Sequence, residues 1–414
     1  MKSIYWVRND LRWLDNKTLL SFCSQASTGV FIWCETDSFR RATAFRRKFI
    51  IDSVIAFKNK IESSGGTFII TDHKSVDFIP QFVVKHQIEG VFYTSECATE
   101  EIAEQNGIDH LPVKIFKCDQ ASLIHASDLP MTIANLPEQF TSFRKKIEQD
   151  LKIHLPLAGP QRIPAWPEEF PEGTLRYRIE TEDQKYIHPE IHGGEQNGLD
   201  RLKEYVWDQD RLKIYKETRN GMLEWNDSSK LSPWLSVGAL SPRTIYQNIK
   251  KYETEVAKND STYWLFFELL WRDYFRFISL KWGSRLFTDM HAKKKPNGII
   301  LKEKRQFELW ASAQSGDDFV DANMQELNQT GWMSNRGRQN VASYLAKTMQ
   351  VNWVWGAEYF EQKLIDYDAS SNRGNWAYLA GVGQDSRDRS FNTQRQAAMY
   401  DAGGEYRRKW LVDS

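Results

Sequence analysis

Short apolar runs separated by amphipathic stretches organise the first 120 residues: SIYWV at 3–7, GVFIWC at 29–34, TFIIT at 67–71, GVFYT at 90–94 and VKIFK at 113–117. Each is rich in β-branched or aromatic residues and has the length of a strand, not of a helix. Between them the helical period is clearest over 41–63, where Phe45, Phe49, Val54, Phe57 and Ile61 recur with basic residues interleaved. Strand alternating with helix predicts a doubly wound parallel sheet, an α/β domain assigned to 1–130. The stretch 131–195 includes HLPLAGPQRIPAWPEEFPEGT and is too prolyl for long helices or central strands. It is read as an interdomain connection with one amphipathic helix, LPEQFTSFRKKIEQ, from Leu136. From Gly193 the pattern turns helical, as in YWLFFELLWRDYFRFISLKWG and GAEYFEQKLIDY, so an all-helical second domain is expected over 196–414.

Composition adds limits. A chain of 414 residues exceeds what one compact core usually organises, in keeping with two domains. Basic and acidic residues balance at 55 each, so any affinity for nucleic acid has to come from a local basic patch. Cys23, Cys34, Cys97 and Cys118 lack CxxC spacing and suit a reducing compartment. The start MKSIYWVRNDLRW does not read as a signal peptide and no apolar run reaches spanning length, so a cytoplasmic location, a monomer and no membrane partner are expected. Aromatic residues are the anomaly, with 16 Trp, 16 Tyr and 23 Phe, densest after residue 200.

No GxGxxG follows the first strand, no GxxxxGK[ST] occurs, and the eight histidines show no paired metal spacing, so no metal is expected. SSKLS at 228–232, followed by Pro233, places small hydroxyls ahead of a helical segment, where free N–H groups and the helix dipole favour a phosphate; Tyr215 could close over the same anion. Taken alone, the run is also an ordinary helix cap. Glu268, Trp271, Arg272 and Phe275 fall on one helix face, and Asn335, Arg338 and Gln339 on one turn of another. Mixed acid, indole and guanidinium suit a cleft wall better than a dry core. Asp366, Asp368 and Asn372 lie in a polar bend between apolar segments, where the carboxylates could serve as acid and base, hold a ligand or metal, or pair with Arg338. The residues describe a polar and aromatic pocket built from several helices and name no ligand.

The strings SSKLSPWLSVGALSPR, ELLWRDYF, TGWMSNRGRQNVAS and LIDYDASSNRGNWAYLAGVG together resemble the photolyase/cryptochrome family, with YWVRNDLRWLDN and EYRRKWL at the two ends. The resemblance implies an N-terminal antenna domain and a helical domain holding a U-shaped FAD. Tyr215, Ser228, Ser229, Leu231 and Ser232 would contact its phosphates and ribityl chain. Asn335 would sit beside the flavin N5, Arg338 with Asp366 against the ring, and Asp368 and Asn372 on the ring and adenosine side. Glu268 resembles the carboxyl group that stabilises an anionic thymine dimer, with Trp271 and Tyr378 as aromatic walls and Arg272 and Arg336 on flanking phosphates. Gln339, Tyr378 and NRGRQN resemble the cryptochrome DASH branch, which implies repair of cyclobutane pyrimidine dimers in single-stranded or looped DNA. A blue-light photoreceptor with little repair, and a DNA-binding flavoprotein without catalysis, are the alternatives. Trp376 and Trp353 resemble the inner and middle members of the family's electron-transfer chain, while the outer position falls on Ile300. Glu101 lies near the family's folate-contacting acid, and a methenyltetrahydrofolate antenna is implied.

Overall fold

A computed structural model describes residues 1–167, 188, 190–288, 297–382 and 390–411. Five strands, β1 (Lys2–Val7), β2 (Thr28–Cys34), β3 (Phe68–Thr71), β4 (Gly90–Thr94) and β5 (Lys114–Cys118), form one sheet in the order 3-2-1-4-5. All pairings are parallel, with Lys2 opposite Thr28 and Ser3 opposite Gly90. The runs are continuously apolar because both faces are covered. Ile4, Trp6, Val30 and Ile32 pack under helices Ser75–His86 and Thr99–Asp109, while Tyr5, Val7, Phe31 and Trp33 face helices Lys17–Gln25 and Ala44–Ser63. Edge strand β5 exposes Lys114 and Lys117, charges that discourage further strand pairing.

The helix expected over 41–63 begins at Ala44, after a short turn Asp37–Arg41. The connection contains the expected amphipathic helix at Phe140–Gln149, burying Phe140, Phe143 and Ile147. Helices take over from Glu195–Lys203 onward. The longest, Asp260–Trp282, starts on an Asn259 cap whose carboxamide oxygen accepts from Ser261 and Thr262 N–H.

The two regions meet through buried polar contacts. Leu11 N–H donates to Val237 O at 3.3 Å, and Arg12 Nη1 donates to Gly238 O at 2.9 Å. Gly238 has φ +65°, and a Cβ there would lie 1.9 Å from Asn9 O, so the approach itself demands glycine. Asp15 pairs with Arg243 at 2.9 Å, both wholly buried. Asp273, on the long helix, accepts from Leu123 and Ile124 N–H at 2.9 and 2.8 Å; burial raises its pKa to about 6 although these bonds oppose the rise.

Candidate functional site

A cleft of about 260 Å³ in the helical region is lined by Tyr215, Ser228, Ser229, Leu231, Ser232, Glu268, Asn335, Arg338, Asp366 and Asp368. Every cofactor residue expected from sequence therefore converges here except Asn372, which lines an adjoining cavity of about 90 Å³. The two share Asn335, Arg338, Asp366, Asp368 and Ser371, and so form one elongated space. Asn372 spends its amide Nδ2 on Ala357 O at 2.9 Å.

Arg201 shapes the hydroxyl-rich loop from below. Its guanidinium donates to the carbonyls of Ser228 (3.1 Å) and Ser229 (3.0 Å), and lies 4.5 Å from the Trp225 ring. Lys230 follows with φ +51° and its ammonium over Trp225 and Trp332; burial lowers its pKa to about 8. The succeeding helix spans only Ser232–Ser236, too short for the dipole argument drawn from sequence. Hydroxyls and the Lys230 charge supply the anion-binding character instead. Deeper in, Ser232 Oγ donates to Asp366 Oδ2 at 2.7 Å. Asp366 Oδ1 lies 3.0 Å from Arg338 Nη2 without hydrogen-bond alignment, so a buried acceptor remains unfilled. Cations and hydroxyls at one end, with an open acceptor at the other, fit a ligand that carries a diphosphate and ring N–H groups.

Asp368, which lines both parts of this space, also has partners within the protein. Its Oδ1 caps helix Ala369–Ala380 by accepting Ser371 N–H at 2.8 Å, and Oδ2 lies 3.7 Å from Arg272 and 3.8 Å from Arg276. Burial alone would raise its pKa, but the two guanidinium groups outweigh burial and hold it low. Arg272, expected on a DNA phosphate, donates to Ala121 O at 2.6 Å and Leu235 O at 3.3 Å and lines the helical cleft. A guanidinium on a long stem reaches past its own helix face, which helical spacing alone does not report.

At the rim, Glu268 pairs with Arg219 at 2.6 Å; burial raises its pKa, partly offset by Arg219. Trp271 stacks on Phe140 of the connection helix at 3.7 Å, and its ring lies 6.4 Å from Tyr378. Arg336 donates to Gln339 and Asn220 and lies 4.7 Å from the Tyr400 ring. Trp376 and Trp353 are both buried. The side chain of Ile300 and residues Arg387 and Arg389 lie outside the described residues.

A separate cleft of about 110 Å³ opens where β1 and β2 end, lined by Arg8, Asn9, Trp33, Cys34, Glu96, Glu101 and Arg276. This is the carboxyl edge beside the switch between β1 and β4, where open parallel sheets hold ligands. Glu101 accepts from Ala98 N–H at 3.2 Å and Asn9 Nδ2 at 3.3 Å; burial, then Glu96, raises its pKa to about 8. Arg276 joins the clefts, donating to Glu96 Oε2 at 3.0 Å while facing Asp368.

Sequence reading missed Arg201, Arg219, Lys230 and Arg276. Only Lys230 carried a signal, as the cation within SSKLS; the arginines sit in ordinary amphipathic patterns. Among the described residues no cluster of His, Cys, Asp and Glu could hold a metal, and no helix is long and apolar enough to cross a membrane.

A parallel sheet with a cleft at its carboxyl edge is joined to a helical domain with an elongated cavity lined by hydroxyls, cations and carboxylates, the two-part architecture that the family comparisons match. Family models described as DNA photolyase and as the FAD binding domain of DNA photolyase match residues 3–168 and 264–413. The chain is 42% identical to cryptochrome DASH of Gloeobacter violaceus across 99% of its own length and 85% of the relative's, and 38% identical to that of Danio rerio across 98% and 82%. The structure of a Synechocystis cryptochrome superposes with a TM-score of 0.91 at 39% identity, covering 100% of this chain and 89% of that one. A class III photolyase from Agrobacterium tumefaciens, 24% identical with a TM-score of 0.85 over 99% and 86%, shares the fold. The chain belongs to the photolyase/cryptochrome family, in its cryptochrome DASH branch, and carries that family's FAD-binding domain.

Proposed function

We propose that the chain uses FAD in the helical cavity for light-driven repair of cyclobutane pyrimidine dimers in single-stranded or looped DNA. The observation that carries this reading is that Glu268, a carboxyl of raised pKa one helical turn before Trp271, lines the same cavity as Tyr215, Ser228, Ser229, Asn335, Arg338 and Asp366. Tyr215, Ser228, Ser229, Leu231 and Ser232 would hold the diphosphate and ribityl end of FAD, with Asn335, Arg338 and Asp366 at the ring. Bound FAD, reduced and excited by light, supplies a single electron donor of the strength that dimer cleavage needs.

The remaining work falls to side chains. Extruding a dimer costs a few kcal/mol, and stacking returns about 1–3 kcal/mol per base, so Trp271 and Tyr378 roughly offset extrusion. A strand lacking a partner has less pairing to lose, which favours single-stranded or looped substrate. Glu268 holds its proton to higher pH than an exposed carboxyl and can donate to a dimer carbonyl oxygen, stabilising negative charge there. Arg336 donates to Gln339, which lines the adjoining cavity, and suits a phosphate contact that positions without reading sequence.

The sheet cleft would take an antenna chromophore, methenyltetrahydrofolate, with Glu101 as the acid that would contact it. A cytoplasmic monomer fits four free cysteines. The test is illumination of reduced, FAD-loaded protein with dimer-containing oligonucleotides in single and double strands. Restoration of the pyrimidines, faster in single strands, is expected. No repair in either, with light-dependent partner binding instead, would leave a photoreceptor.

A further inference from the structure

Resting on the FAD reading of the cavity, we propose that Trp225 and Trp332 are positioning residues: they hold the Lys230 ammonium between them as an uncancelled charge for the cofactor's diphosphate. Cations and indoles alternate along this wall. The Arg201 guanidinium lies 4.5 Å from the Trp225 ring, Lys230 Nζ lies 5.4 Å from Trp225 and 5.3 Å from Trp332, and the Arg338 guanidinium lies 5.1 Å from Trp332. The two outer cations are occupied. Arg201 donates to Ser228 O, Ser229 O, Glu204 and Asn226, while Arg338 donates to Met333 O and faces Asp366. Lys230 is different: among the described residues its ammonium has neither a carboxylate in ion-pair contact nor a hydrogen-bond acceptor. It lines the main cleft together with Ser228, Ser229 and Ser232.

A carboxylate beside this lysine would steady the ammonium but cancel the charge that a diphosphate needs. An indole face attracts a cation through its quadrupole and carries no net charge, so it steadies the ammonium and leaves its charge whole. Each ring also meets a guanidinium, so like charges are joined through an indole and not set against one another. Lys230 takes φ +51° in this arrangement, a conformation uncommon outside glycine. Burial lowers its pKa to about 8; Glu326 and Asp227 oppose the fall, and Arg201 and Arg338 add to it. Glu326 is itself raised to about 7 by burial, and His188, which also meets the Lys230 charge, is lowered to about 4. An anion on Lys230 favours the charged form, so binding should weaken as pH rises through about 8.

The test is calorimetric titration of the apoprotein with FAD, riboflavin and inorganic pyrophosphate at about pH 7 and about pH 9, on either side of the Lys230 transition. Native affinity for FAD is expected to fall about tenfold between the two. Lys230→Met should bind FAD about tenfold more weakly at the lower pH and show a smaller fall. Trp225→Leu should lose about tenfold for FAD and pyrophosphate and little for riboflavin, and Trp225→Phe should recover most of the loss. Trp225 lies outside the lining of the main cleft, so its variants act on Lys230 without touching the flavin. Trp332→Leu, within that lining, should lose at least as much, with circular dichroism to check the fold. In the Lys230→Met background, Trp225→Leu should bring no further loss. Additive losses in that double variant, equal losses for FAD and riboflavin, or a native affinity unchanged by pH overturns the assignment. Pyrophosphate separates the two readings. If the native chain binds it with the same coupling but takes up no FAD, the FAD reading falls and the aromatic clamp stands; if FAD binds and Trp225→Leu leaves pyrophosphate unaffected, the clamp falls alone.

Discussion

The sheet cleft and the helical cavity satisfy their charges in opposite ways. At the strand ends, Glu96, Glu101 and Glu104 crowd against Arg8 and Arg276, and burial pushes two of these acids, Glu101 and Glu104, to raised pKa values. In the helical cavity four cations, Arg219, Lys230, Arg272 and Arg338, outnumber three acids, Glu268, Asp366 and Asp368, and one carboxylate oxygen of Asp366 is left open. The first cleft is a product of topology, since any doubly wound sheet opens a crevice at its switch point. The second is a product of side chains sent from several helices. Topology locates a site without naming its ligand, whereas side chains specify the ligand and depend on the packing that aims them.

Four changes would break or sharpen this contrast. Arg276→Met has the largest expected effect because it serves both clefts. It strands Glu96 and weakens the partnering of Asp368, and losing one member of a buried pair costs about 3–5 kcal/mol, readable by urea unfolding. Next, Arg338→Ala removes the cation beside Asp366 and should weaken FAD binding by about 100-fold, near 2.7 kcal/mol, with unchanged secondary structure. Calorimetric titration of the apoprotein reads it, and unaltered affinity would place the ring elsewhere. Trp271→Ala should cost about 1–3 kcal/mol in affinity for a dimer-containing single strand while flavin content stays the same.

The effect of Glu101→Gln is read through pH, since its carboxyl titrates in the folded protein. A folded-state pKa of about 8 against an ordinary 4.5 means that the folded protein binds the extra proton. That contribution to stability is complete below pH 4.5 and is lost as pH rises through about 8. The native melting temperature should therefore fall across that window more steeply than that of Glu101→Gln. Parallel curves would show that Glu101 titrates normally.

The strands were legible because both faces of the sheet are covered, which makes the inner runs largely apolar on both faces, as Tyr5 and Trp6 illustrate by entering opposite cores. The cavity residues were legible because their motifs are dense. What escaped was reach. Arg272 lies on the helix face that spacing assigns it, yet its guanidinium ends on Ala121 O, 151 positions away in the chain. Arg201 resembles any helical surface arginine until the carbonyls of Ser228 and Ser229 are seen beneath it. Likewise, nothing in the residue pattern reported that the Trp376 ring lies against Trp310 and Phe360. Period reports the direction of a Cβ and nothing about where a long or planar side chain terminates.

The buried ion pair between Asp15 and Arg243 bears on the order in which the molecule is assembled. The sheet is synthesised first, yet the cation that neutralises its sequestered Asp15 lies 228 residues downstream. Until that segment arrives, a nascent sheet must keep Asp15 wet or unpaired, and Arg12 must wait for the Gly238 carbonyl. The amino-terminal half therefore leaves the ribosome with an unfinished seam, and its last polar groups come to rest only when the helices close over them.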